Sequence, residues 1–121
     1  MESPSRVKSK AFALRIIRLY QFLCEEKNEY VLSKQILRSG TSIGANLAEA
    51  EFAVSKSDFR AKQFIALKEC GETRYWLELL NESGYMDDTL YKSFAADCQE
   101  LIRMLVSSTK TLSADLNKDE N

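Results

Sequence analysis

Histidine is missing altogether from these 121 residues. That removes the commonest general base and the imidazole ligand of most zinc and non-haem iron sites. It also excludes the Glu-x-x-His motif of ferritin-like di-metal bundles. Proline occurs once, at Pro4, and glycine four times. A β-sandwich of this length needs many more turn residues, so the scarcity favours long helices joined by few loops. No apolar run approaches the roughly 20 residues that span a bilayer. The basic start, "MESPSRVKSK", is not followed by the uninterrupted apolar region of a secretory signal. The three cysteines, Cys24, Cys70 and Cys98, form no CxxC pair. An odd count without regular spacing fits reduced thiols in a cytoplasm, and each falls in an apolar helical pattern, as inert core thiols do.

What is present is the composition of one globular domain, 1–121: 45% hydrophobic and 29% charged residues, with a net charge of −1. The charge is uneven. Residues 1–38 carry eight Lys/Arg against four acids, and residues 81–121 carry four against eight. A basic footprint over the whole protein is therefore absent, while a local one near the N-terminus remains open. The simpler reading is that opposite charges on different helices help them pack.

Four helical segments follow from the spacing of apolar residues. The first covers about 7–26, with Phe12, Ile16, Leu19 and Leu23 on one face. Ala11, Leu14, Ile17 and Phe22 widen its apolar surface beyond one seam, which hints at burial on a second side. The second covers about 31–54, with Leu32, Ile36, Ile43, Leu47, Ala50 and Val54 inward. The third covers about 57–83, opened by Ser55 or Ser57 with Asp58 and closed by Gly84. Asp87 or Asp88 opens the fourth, about 87–112, and the polar tail 113–121 is expected to fray. This is an all-α, up-down-up-down antiparallel four-helix bundle with knobs-into-holes seams.

One stretch, "KQILRSGTSIGANLAEAE" (34–51), is helical by its apolar spacing yet rich in poor helix formers. At about 100° per residue, Gln35, Arg38, Ser39, Ser42, Asn46 and Glu49 fall in one stripe. Gly40, Gly44 and Ala48 repeat every four residues and would let another helix backbone approach closely. A solvated face would hold Lys, Glu and Gln instead, so the stripe reads as an interaction face. On the third helix Ile65, Glu69, Glu72, Trp76 and Leu79 lie together, away from its core seam. Its two carboxylates suit an arginine, either Arg38 or Arg74 of a neighbouring subunit, and Trp and Arg are enriched at interface centres. Without histidine, and with both glutamates on one helix, acid/base or metal chemistry is the weaker reading.

These residues carry a resemblance. "QILRSGTSIGANLAEAE" and "SKSDFRAKQFIALKECGETRYWLELL" resemble the bacterial four-helix-bundle proteins named for intervening sequences in 23S ribosomal RNA genes, over about residues 7–112. Gln35, Arg38, Ser39, Ser42, Ile43, Asn46 and Glu49, then Asp58, Phe59, Ala66, Glu69 and Glu72, stand in register with that family. Gly44 stands where other members often have proline, and "AEA" replaces a common "AEG". The resemblance implies a bundle that assembles as a homopentameric ring or barrel. It also implies kinship with the accessory variability protein of diversity-generating retroelements, which binds its reverse transcriptase and, through a basic surface, nucleic acid. That relative is strongly basic and this chain is not.

Two functions follow as expectations. The first is a non-enzymatic, homo-oligomeric scaffold or adaptor, needing no cofactor or metal, that uses the face from Gln35 to Glu49 with Glu69, Glu72 and Trp76. The alternative is an RNA- or DNA-binding module that uses Lys8, Arg15 and Arg18 on the assembled oligomer, where several copies of a modest patch gain by avidity.

Overall fold

The computed structural model describes residues 3–120, with side chains for residues 3–114. Helix α1 runs Pro4–Glu25, α2 Leu32–Ala50, α3 Lys56–Glu82 and α4 Asp88–Glu120, and no strand occurs among the described residues.

Local chemistry sets each boundary. Ser3 has extended backbone and accepts the Arg6 N–H at 3.3 Å, while Pro4 occupies the first turn, where its missing N–H costs nothing. The helix therefore starts three residues before the position 7 expected from apolar spacing. It ends at Glu25, and the chain turns away at Asn28, whose φ of 53° lies in the left-handed region, with Glu29 N–H donating to Leu23 O. Glu29, almost buried, then turns its carboxylate onto the Val31 and Ser33 N–H groups at 2.9 and 2.8 Å. It caps α2 in place of Val31, which has no side chain able to do so.

Helix α2 stops at Ala50, four residues short of the expected 54. Ser55 accepts the Asp58 N–H at 3.0 Å and Asp58 accepts the Val54 N–H at 3.2 Å. This near-reciprocal box fixes the start of α3 and holds Val54 outside α2. Val54, expected on the inward face, is 92% exposed. Gly84, at φ 88°, closes α3, with Tyr85 N–H donating to Leu80 O. Asp87 caps α4 by accepting the Leu90 N–H at 2.8 Å. The expected frayed tail, 113–121, is instead helical through Glu120, and Asn121 lies outside the described residues. No glycine or proline interrupts it, and Arg60 of α3 donates to the Ser113 hydroxyl at 2.8 Å, tying the extension down.

Contacts between helices fix the topology. On α1 and α2, Ser9 lies beside Gly44, Ile16 beside Gly40 and Cys24 beside Ser33. On α2 and α3, Arg38 meets Glu72 and Glu49 meets Lys62. On α3 and α4, Gln63 meets Ser108 and Asn81 meets Asp88. On α1 and α4, Lys8 meets Glu100 and Arg15 meets Ser93. Every pairing rises on one helix and falls on the other, so the four helices run up, down, up and down. Phe12, Ile16, Leu23, Ile36, Ile43, Cys70, Leu77, Cys98, Leu101 and Leu105 fill the core, each with at most 1% of its surface exposed. Because Lys8 stands opposite Asp97 and Glu100, α1 begins level with about residue 103 of α4; beyond that, α4 and the first turn of α3 project as a two-helix overhang.

Candidate interaction faces

The stripe expected along α2 is divided by the fold. Ser39 is fully buried, its hydroxyl paired with that of Thr73 on α3 at 2.9 Å. It belongs to the interior and not to an outward face. Arg38 stays at the surface and bridges Glu69 at 3.3 Å and Glu72 of the same chain. Glu72 also accepts the Trp76 indole N–H at 3.3 Å. The hydrogen bond from Arg38 holds the Glu72 carboxyl below the usual carboxylate range, and the same contact raises the Arg38 guanidinium. Ser42 turns its hydroxyl back to Arg38 O at 2.6 Å, and Asn46 donates to Ser42 O at 2.8 Å. Glu49 reaches Lys62 at 3.2 Å, and Gln35 is exposed. Arg38, Ser39 and Glu49 of the stripe thus join α2 to α3, while Ser42 and Asn46 bond back along α2.

The small-residue groove is filled from within. A Cβ on Gly40 would stand 2.8 Å from Cγ1 of Ile16 and 2.9 Å from Cγ2, and one on Gly44 would stand 3.3 Å from the Ser9 Oγ. The close backbone approach expected of Gly40 and Gly44 is therefore made by α1 of the same chain.

The basic cluster is also engaged. Lys8 pairs with Asp97 at 3.1 Å and Glu100 at 2.9 Å. Arg15 pairs with Asp97 at 2.6 Å, donates to the Ser93 hydroxyl and stacks over Phe94, 4.1 Å from the ring centre. Burial pushes the Asp97 carboxyl up, but hydrogen bonds from Arg15 and Lys8 outweigh it and leave it below its ordinary value. The hydrogen bond to Glu100 raises Lys8. Arg18 is exposed and, with Arg15, borders an apolar groove of about 350 Å³ between α1 and α4 lined by Leu19, Phe22, Leu90 and Phe94. Asp97 went unnoticed in the sequence as the partner of this cluster. The signal for it was the acidic bias of the C-terminal third against the basic N-terminal one.

Chemistry is sparse elsewhere. Burial pushes the Cys98 thiol up to about 11, and it pushes the Cys70 thiol up further; Cys98 donates to Cys70 O at 3.4 Å. Both behave as core residues, while Cys24 is half-buried. Among the described residues no group of three or more Cys, Asp or Glu could hold a metal ion, and no helix is long and apolar enough to cross a membrane.

Outward and apolar are Val31, Phe52 and Val54 in the connections, 72%, 83% and 92% exposed, and, on α1, Val7 at 52%, Leu14 at 50% and Ile17 at 38%. The three on α1 lie on the side opposite Phe12, Ile16 and Leu19. On α3, Ile65 and Tyr75 are exposed and Trp76 and Leu79 half-buried.

Comparison with known proteins agrees with this architecture. A family model described as 23S rRNA-intervening sequence protein matches residues 5–107. A crystal structure from Bacteroides thetaiotaomicron VPI-5482, of a protein with unknown function from the S23 ribosomal protein family, is 53% identical. The match covers 88% of this chain and 98% of that one, with a TM-score of 0.87. No curated protein matches. By sequence over most of its length and by the course of its four helices, the chain belongs to the 23S rRNA-intervening sequence protein family.

Proposed function

We propose that this protein is a non-enzymatic scaffold or adaptor that works as a homo-oligomer, a pentameric ring or barrel, in the cytoplasm. The observation that carries the reading is the second apolar face of α1. Val7, Leu14 and Ile17 stand exposed opposite the core, on a helix whose inner face is already satisfied. Covering such a ridge is a common way for hydrophobic burial to drive subunit association. The joined α2–α3 seam supports the same reading, because Arg38, Glu69, Glu72 and Trp76 present a fixed surface on which one guanidinium is shared by two carboxylates. The nucleic-acid alternative is the weaker one. Lys8 and Arg15 are spent on Asp97 and Glu100, and phosphate binding draws on unneutralised Lys and Arg.

The test is size exclusion with light scattering, recording absorbance at 260 and 280 nm. A mass near five chains with a clean protein spectrum is the expected result. A stable monomer overturns the scaffold reading. Excess absorbance at 260 nm, lost on adding salt, moves the weight to nucleic acid.

A further inference from the structure

Gly71 has no reason inside the chain to be glycine. It sits in the middle of α3, with helical backbone, on the outer side, and a Cβ built there would meet nothing within 4 Å. Mid-helix glycine is disfavoured relative to alanine, so the chain carries a weakness that no internal contact explains. Tyr75 lies exposed one turn further on, and Lys68 nearly one turn before. The result is a notch in the outer face of α3.

The outer ridge of α1 stands at the same height. Ile16 of α1 packs on Gly40 of α2, and the next residue, Ser39, pairs with Thr73 of α3. Leu14 is therefore level with about residue 71, and Ile17 and Arg18 lie within about one turn of Tyr75 and Glu78. Helices α1 and α3 run in the same direction at opposite corners of the bundle. Two copies placed side by side, unrotated along their length, bring α1 of one against α3 of the next. With the outer faces opposed, Leu14 and Gly71 fall on one flank of the contact. Arg18 and Glu78 fall on that same flank, which sets one pair of opposite charges beside the notch.

We propose that a second copy of this chain covers the α1 ridge with its α3, Leu14 seating over the Gly71 notch and Arg18 facing Glu78. The contact is heterologous: each copy offers α1 on one side and α3 on the other, and successive copies close a ring if the rotation allows. This rests on the oligomeric reading above and names its interface.

The experiment uses two variants of the full chain, Leu14→Glu and Gly71→Leu. Both positions are open on the single chain, so both variants fold, which helical circular dichroism and cooperative unfolding verify. The expected result is that each variant alone is a monomer while wild type is assembled. Mixed, they give a 1:1 heterodimer, because the intact α1 of Gly71→Leu meets the intact α3 of Leu14→Glu. Charge reversal adds a second readout. Arg18→Glu raises the dissociation constant at least tenfold, and Glu78→Arg in the same chain restores it. If Gly71→Leu stays assembled, α1 pairs with something other than α3 and the proposal falls while oligomerisation stands. If the variants are monomeric but do not combine, the interface is not this pair of faces. A monomeric wild type overturns both readings.

Discussion

At the scale of single residues, two glycines on neighbouring helices have opposite meanings. Gly40 touches Ile16, a β-branched side chain locked in the core, and added bulk there has nowhere to go. Overpacking costs about 1–3 kcal/mol and the gain in helix propensity is about 1 kcal/mol. Gly40→Ala is therefore expected to destabilise the chain by up to about 2 kcal/mol. Gly71→Ala meets open space and should stabilise it by about 1 kcal/mol. Urea unfolding of the dissociated chain measures both, and equal signs would contradict this account. The carboxylates give a pH dependence. Asp97 and Glu72 are held below their ordinary values by cations, so their contribution is present above about pH 4 and lost as pH falls through the depressed folded values. Acid unfolding of Asp97→Asn should show a shallower slope below pH 4 than wild type. At neutral pH this partly exposed network is worth little, about 0.2–1 kcal/mol. In the "RSGTSIGAN" stretch the unusual polar character was legible, and so was part of its direction. Ser39 stands three residues after Ile36 and four before Ile43, so the spacing itself puts it on the inward seam and leaves Arg38 outside; grouping the polar residues as one stripe obscured this.

At the scale of elements, the number and order of the helices and most of their inward seams were legible, because Phe12, Ile16, Ile43, Ala66, Cys70, Leu77, Cys98 and Leu101 recur at the helical period; Val54 was the exception. The ends were less so. The apolar period ran on through Val54, but the end of α2 is decided by Ser55 and Asp58, which recruit the backbone N–H groups of the next helix. In the same way Ser3 and Pro4 start α1 before its first apolar residue, and Glu29 caps α2 from three residues upstream. Capping chemistry outranks periodicity at helix ends. Ser55→Ala should cost about 0.5–2 kcal/mol. Glu29→Gln should cost a similar amount, because its carboxylate serves two N–H groups from an almost buried position. Thermal unfolding followed at 222 nm reads both. No loss in either would mean that these contacts are replaced by solvent.

At the scale of the whole molecule, the sequence carried one clear sign of what lies outside the chain, the excess apolar width of α1, which the structure leaves uncovered at Val7, Leu14 and Ile17. The expected charge patch was legible as composition only. Its neutralisation by Asp97 and Glu100 needed the antiparallel docking of α1 on α4, which composition does not contain. The overhang of α3 and α4 has a kinetic counterpart. Past residue 103 α4 has no α1 beside it, and α3 before residue 60 has no α2, so the amides there are guarded by one neighbouring helix instead of two. Among helical amides, deuterium uptake should consequently be graded along the long axis, faster in residues 56–60 and 106–114 and slowest around Ile16, Ile43, Cys70 and Cys98, where opening requires the whole bundle to come apart.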